Sequence, residues 1–249
     1  MELQRLRVLP EFSDAHCHLN LFDSPAEAIS NARKEGVRLM ITSGGSGKDN
    51  LESIRIANDA QDVFAVIGVG PDFAGSEPDS VRDLEGLIKS SKKVVGIGEI
   101  GIDAKSAANK AGLEIQRRVF GAQLDLAKDL GLPVVIHSRG SITEVIKTLD
   151  EKGIGNALFH FFEGNEEQAE RLARKGHLIS VPPVETGRMK KVIKNISLSN
   201  LVAETDSPVV GRTPADAIKV CRRIAETRGM ALEDVAATTT ENIRRHFYI

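Results

Sequence analysis

Short, continuous apolar runs alternate along the chain with longer segments whose apolar residues recur every three or four positions. The runs cover residues 11–18, 37–43, 63–70, 94–102, 132–137, 157–162, 177–181 and 201–205. They are unbroken rather than alternating, as expected of strands buried on both faces of a parallel sheet. Between two of them, Ile115, Val119, Ala122, Leu126 and Leu130 keep helical spacing, and Gly131-Leu132-Pro133 stops the helix. Other helix starts carry caps. Ser24-Pro25-Ala26-Glu27 combines an N-cap, a proline at the first helical position and a carboxylate that reaches back; Ser141 with Glu144 and Asn165 with Gln168 repeat the idea. Eight runs in 249 residues give roughly 31 residues per strand–helix unit, the length of one βαβ step. The pattern predicts an α/β protein: a single (β/α)8 TIM barrel over residues 1–249, with its site at the C-terminal ends of the strands. A doubly wound sheet would need a GxGxxG turn after an early strand. Gly44-Gly45-Ser46-Gly47 follows the second run without that spacing and reads as a βα loop.

Composition narrows the class. With 41% hydrophobic and 27% charged residues the chain sits near the globular average, which excludes disordered and collagen-like classes. No apolar run approaches the ~18 residues of a membrane helix. Residues 1–10 alternate charge with single leucines and lack the apolar core of a signal peptide. Two cysteines, Cys17 and Cys221, do not make a disulfide framework, and both fall on core-facing positions. A soluble, cytoplasmic protein with no membrane partner and no evident obligate protein partner is expected. The 33 basic residues face 35 acidic ones, and aromatics are 4% with no Trp, so no long nucleic-acid track is expected. Lys190-Lys191 and Arg222-Arg223 read as solvated helix faces. A small-molecule enzyme, or one that touches only a nucleic-acid end, fits best.

Polar chemistry collects where the runs end. The first closes on Asp14-Ala15-His16-Cys17-His18, and residues two apart on a strand share a face, so His16 and His18 can meet one ion. The fourth carries Glu99 in the glycine-rich run Gly96-Ile97-Gly98-Glu99-Ile100-Gly101-Ile102-Asp103, where an unpaired carboxylate would be costly. The fifth ends in His137, the sixth runs into His160, and the eighth is followed by Asp206. Each alone has an ordinary structural reading. Four of six histidines at strand ends, with two carboxylates, is what a pair of borderline divalent metals needs. Such a set accepts Zn, Mn, Co, Ni or, less comfortably, Mg. His177, at the start of a strand, and His246, in a charged C-terminal helix, are not expected to be ligands.

These residues carry a resemblance. His16-Cys17-His18-Leu19, Gly98-Glu99-Ile100-Gly101-Ile102-Asp103, Pro133-Val134-Val135-Ile136-His137-Ser138-Arg139, His160-Phe161-Phe162-Glu163-Gly164, Glu204-Thr205-Asp206-Ser207-Pro208 and Thr240-Glu241-Asn242 are ordered over nearly the whole chain. The chain resembles the TatD family of metal-dependent hydrolases, within the amidohydrolase-like barrels. The resemblance implies phosphodiester hydrolysis, with nuclease action on DNA, often from a 3′ end. It implies one metal held by His16, His18, Glu99 and Asp206 and a second by His137 and His160, with Glu99 bridging. Asp206 would orient the attacking water or take its proton. Phosphotriesterase-like relatives place a carboxylated lysine at the station of Glu99.

The match has departures. The family commonly carries Gly-x-His-Pro after the third strand, where this chain reads Gly68-Val69-Gly70-Pro71, and Gly70 offers no side chain to a phosphate. The usual Cys-Phe-Ser after the sixth-strand histidine becomes Phe161-Phe162-Glu163, adding the Glu163 charge, and Ala104-Lys105-Ser106-Ala107 lacks the customary aromatic. Arg139 is a candidate for a substrate phosphate or, equally, for a salt bridge to a loop carboxylate. Asp14 reads as support for a ligand histidine or as the end of a turn. The leading reading is a two-metal phosphodiesterase acting on DNA ends, with salt dependence kept modest by the near-neutral charge. One alternative is a metal-dependent hydrolase of a lactone, cyclic amide or aminoacyl ester, motivated by Gly70 and Glu163. Another is a barrel that keeps metals for stability and only binds.

Overall fold

The computed structural model describes residues 10–77, 81–107 and 109–249, so the reading of the first nine residues lies outside the described residues. Eight parallel strands form one sheet in sequence order. They are β1 (Phe12–Cys17), β2 (Val37–Ser43), β3 (Val63–Ile67), β4 (Val94–Gly101), β5 (Val134–His137), β6 (Ala157–Phe159), β7 (Leu178–Val181) and β8 (Leu201–Ala203). The helices α1 (Pro25–Glu35), α2 (Gly47–Asp59), α3 (Val81–Ser90), α4 (Lys110–Leu130), α5 (Ile142–Lys152), α6 (Glu166–Arg174), α7 (Gly187–Asn195) and α8 (Ala217–Arg228) follow the strands in turn, and α9 (Leu232–Phe247) ends the chain. This is the expected TIM barrel. Two apolar layers hold it. Between strands and helices lie Cys17, Met40, Ile67, Ile97, Ile100, Phe120 and Phe159, among others. Inside the barrel, Ala15, Leu39, Ile41, Val66, Val95, Val135, Leu158, Leu178 and Val202 meet Ile243 and Phe247 of α9, which plugs the end opposite the site. Both cysteines are buried, as expected.

Several strands stop earlier than their apolar runs, because their last residues exchange ladder bonds for side-chain partners. After β3 the Gly68 N–H donates to Asn50 Oδ1 (3.1 Å), and the Val69 N–H donates to Gln123 Oε1 (2.7 Å). After β6 the backbone turns at Phe161, whose φ of 43° is left-handed. Helix starts follow the sequence in part: at α1 the Ser24 cap and the proline are present without a reach-back from Glu27, and at α5 the cap is absent. Ser24 accepts the Glu27 N–H, and Asn165 with Gln168 forms a complete capping box. Ser141 does not cap α5. Its hydroxyl donates to the Ile102 carbonyl at 2.6 Å, and Glu144 instead accepts from Arg117. Gly131 ends α4 in the left-handed region at φ 65°, as the stop signal required.

Gly44–Gly47 forms the expected βα loop into α2, with Ser46 Oγ accepting the Asp49 N–H and the Gly47 N–H donating to Glu77 at 2.8 Å. Two further expectations change in detail. Arg223 is not solvated but donates to the Pro182 and Pro183 carbonyls, whereas Arg222, Lys190 and Lys191 are exposed. His246 is buried rather than set in a charged surface. Burial, with smaller contributions from His177 and Arg245, drives its pKa down to about 3; burial brings His177 to about 4. A base whose pKa falls on folding stabilises the fold fully above its unfolded value near 6.5 and loses that stability as pH falls towards the folded value. At pH 5 the loss from His246 is about 2 kcal/mol. Urea midpoints measured at pH 7 and pH 5 are expected to differ accordingly, and His246→Leu to reduce the difference, leaving the share due to His177. An unchanged difference in the variant would contradict the assignment to His246.

Among the described residues, no helix is long and apolar enough to cross a membrane.

Candidate metal centre and active site

The upper ends of β1, β4, β5, β6 and β8 converge on one cluster. Strand pairing slips between Asp14 and Cys17 in β1 and again between Ile97 and Ile100 in β4. Such irregularities re-aim side chains, and each sits where the strand delivers a site residue, His16 or Glu99. Strict alternation was the basis for pairing His16 with His18. The pair does converge, with the two Nε2 atoms 3.2 Å apart, although β1 is irregular and His18 lies just past its end. His18 Nδ1 lies 3.2 Å from the Ser43 carbonyl, which leaves Nε2 for the cluster.

Glu99 divides its two oxygens. Oε2 lies 3.4 Å from His16 Nε2 and 3.7 Å from His18 Nε2. Oε1 lies 2.5 Å from His137 Nδ1 and 3.6 Å from His160 Nε2. Asp206 places Oδ1 3.2 Å from His18 and 3.8 Å from His16. All six residues singled out in the sequence are thus brought together. Among the described residues, three trios have ligand atoms mutually within 4.8 Å: His16, His18 and Glu99; Glu99, His137 and His160; His16, His160 and Asp206.

Orientation comes from behind the cluster. His137 Nε2 lies 3.1 Å from Asp103 Oδ2, and Asp103 is itself held by the Lys105 and Ser106 N–H groups and the Ser106 hydroxyl. His160 Nδ1 lies 3.1 Å from Glu204 Oε2, whose other oxygen accepts the Phe161 N–H at 2.8 Å. Carboxylates on the far nitrogen fix the ring and raise its basicity. Neither Asp103 nor Glu204 was given a role from sequence. The available signal was a lone carboxylate closing an apolar run, Ile102-Asp103 and Ala203-Glu204. His16 has no such carboxylate and stacks on His160, with ring centroids 3.7 Å apart.

Asp14 supports His16 through the backbone rather than through the ring. Its Oδ1 accepts the N–H groups of His16 (3.3 Å) and Thr205 (2.9 Å), and Oδ2 accepts the Thr205 hydroxyl at 2.5 Å. Directly above, the Asp206 N–H donates to the His16 carbonyl at 2.9 Å, and the His18 N–H donates to the Ser207 carbonyl at 2.7 Å. These bonds join the last strand's exit to the first strand. They also hold Asp206 at φ 51°, a conformation Asp tolerates through local hydrogen bonding.

Electrostatics favour cations here. Burial opposes charge on Glu99, yet His160, His137 and His16 outweigh it and hold the carboxyl well below its usual range. Burial likewise opposes ionisation of Asp206, and the hydrogen bond from His18 with nearby His160 and His16 overcomes it. Burial would lower His160, but Glu204 and Glu99 push it up to about 10. In the absence of a metal, then, protons on His18, His137 and His160 offset the buried carboxylates, while burial lowers His16. Two imidazole nitrogens pointing at each other beside two ionised carboxylates also suit a shared cation. The donor set of imidazole and carboxylate fits borderline divalent metals.

Arg139 lies at the edge of this site, 57% exposed, with Nη1 3.9 Å from Asp103 Oδ2. Gly70 lines the cavity over the cluster, where an added Cβ would meet the Gly45 and Glu99 carbonyls at ordinary contact distances. Gly101 is different. It has φ of 150°, and a Cβ there would overlap the His137 carbonyl. Gly101→Ala is therefore expected to cost about 3 kcal/mol from backbone strain and overpacking together. It should also displace His137, lowering activity even in the folded fraction. A thermal melt and an activity assay on the same sample check both parts; a variant with wild-type stability would contradict the geometry.

A TIM barrel with this donor set at its mouth defines a metal-dependent hydrolase. The chain belongs to the TatD family, since residues 13–248 match the family described as TatD related DNase. Among its relatives is human deoxyribonuclease TATDN3, 29% identical over 94% of this chain and 93% of that protein. The metal-dependent hydrolase YabD of Bacillus subtilis is 30% identical over 95% of this chain and 98% of its own. The crystal structure of YJJV, a TatD homologue from Escherichia coli, superposes with a TM-score of 0.87 at 25% identity, covering 96% of this chain and 98% of that one.

Proposed function

We propose that this hydrolase cleaves phosphodiester bonds at DNA ends, removing nucleotides from the 3′ side, with two divalent ions in the cluster. The observation that supports it most is the division of Glu99, whose oxygens face His16 and His18 on one side and His137 and His160 on the other. That is the arrangement a bridging carboxylate needs. His16, His18, Glu99 and Asp206 would hold one ion, and Glu99, His137 and His160 the other. When bound, such ions neutralise phosphoryl oxygens and acidify the attacking water.

The remaining work falls to the chain's own groups. Asp206 is ionised and sits where its carboxylate can orient the water and accept its proton. Asp103 and Glu204 keep His137 and His160 in fixed rotamers and tautomers. Arg139 can place its guanidinium on a neighbouring phosphate, because its contact with Asp103 is long and half its surface is open. Turnover of a 3′-labelled single strand by metal-reconstituted protein, with and without EDTA, tests the reading. Stepwise shortening abolished by EDTA is expected. No shortening with Zn, Mn, Co, Ni or Mg would remove the nuclease reading.

A second reading keeps the same centre but a different bond, such as a lactone, cyclic amide or aminoacyl ester. Its support is the acidic lining of the mouth, Asp49, Asp72 and Glu163, together with Gly70 in place of a phosphate-contacting side chain. Turnover of those substrates without phosphodiester turnover would favour it.

A further inference from the structure

The mouth opens into two adjoining cavities that share His137, His160, Asp206, Asp72 and Val209. One, of about 280 Å³, extends over the exits of β1 to β3 and is lined by Phe73. The other, of about 410 Å³, extends over the exits of β4 to β6 and is lined by Phe161 and Arg139. Each is of the size that holds one small-molecule moiety.

The two aromatic rings are placed by specific contacts. Phe73 is 36% exposed, and its ring lies against Gly45, where even a Cβ would meet it at ordinary contact distance. Phe161 sits in the left-handed region, which bulky residues avoid, and its N–H is tied to the same Glu204 carboxylate that orients His160. Its ring stands 5.9 Å from the His160 ring, centre to centre. A large side chain held in a costly conformation beside the reacting centre points to a task there.

Charge argues in the same direction. Among the described residues lining the two cavities, Arg139 is the only lysine or arginine, against the rim carboxylates Asp49, Asp72 and Glu163. A long polyanion would meet repulsion beyond its first phosphates. Base stacking on an aromatic face carries no such penalty and tolerates any sequence.

Resting on the phosphodiesterase reading above, we propose that the substrate is a short oligonucleotide, down to a dinucleotide, gripped by its bases. One base stacks on Phe73 and the next on Phe161, with the scissile phosphate between them over the cluster and Arg139 on one further phosphate. Phe73 and Phe161 are then specificity-determining residues, and affinity depends on bases more than on phosphates.

The test compares three substrates of the metal-reconstituted enzyme: a 5′-phosphorylated thymidine dinucleotide, the same dinucleotide lacking one base, and a long labelled single strand. The intact dinucleotide is expected to match or exceed the long strand in kcat/KM. Loss of either base should raise KM about tenfold, near the lower end of what one base–aromatic stack contributes. Phe161→Leu and Phe73→Leu, which keep bulk but remove the π-face, should raise KM by a similar factor with kcat within about twofold, and Phe161→Tyr should restore it. Calorimetry with a non-hydrolysable dinucleotide should show the same loss in Kd, and a log–log salt slope near −1 between about 50 and 200 mM. Equal KM for intact and base-lacking substrates, wild-type KM in both leucine variants, or a slope several times steeper would overturn the base grip while phosphodiester turnover stood. Absence of any phosphodiester turnover in the wild type would overturn both.

Discussion

Glu99→Gln is expected to abolish the metal centre's full occupancy and with it most turnover. The carboxylate faces both halves of the cluster, with Oε1 towards His137 and His160 and Oε2 towards His16 and His18. An amide of the same shape supplies one acceptor oxygen and no charge, and its NH2 group turns a donor towards two imidazoles. Loss of a merely supporting partner lowers metal affinity roughly 10–100-fold. Removing a central charged donor should exceed that. Metal per chain, measured after dialysis against a weak chelator, should fall below the wild-type value, and activity should fall in parallel. Wild-type stoichiometry with full turnover would show that Glu99 does not bridge.

Asp206→Asn should remove the proton acceptor while keeping an oxygen able to face the first ion. The asparagine tolerates φ of 51°, and the backbone bonds between residue 206 and His16 and between His18 and Ser207 do not involve the side chain, so the barrel should persist. What disappears is the ionised oxygen 3.2 Å from His18. A positioned proton acceptor contributes about 10²–10⁴-fold, so kcat should drop by about 10³-fold. The pH profile should also lose its acidic limb. A variant that kept its kcat would remove Asp206 from the mechanism, whatever the metal content.

The barrel was legible because most strands are continuous apolar runs and most helices announce their ends, as Asn165 with Gln168 and Gly131 do. The six residues of the cluster were legible because a histidine or carboxylate at the end of such a run has few structural uses. Asp103 and Glu204 were not, although they occupy the same kind of position. Their partners, His137 and His160, lie 34 and 44 residues away, and no local pattern encodes that pairing. Asp14 shows a related limit. A carboxylate near a histidine suggests a ring contact, but this one serves the backbone of a segment 191 positions distant. Ser141 and Arg223 failed for a simpler reason: each found a buried carbonyl that local spacing does not reveal.

The stitching of Asp14 to Thr205 and of His16 and His18 to Asp206 and Ser207 also has a consequence for synthesis of the chain. Contacts this far apart in sequence form late, because closing so large a loop carries the greatest entropic cost. On the ribosome, a chain released only as far as α7 already contains His16, His18, Glu99, His137 and His160 but has nothing to draw the first strand's edge shut. Maturation of the centre therefore waits for the final segment, so a truncated translation product would carry four histidines without the carboxylate expected to take the water's proton.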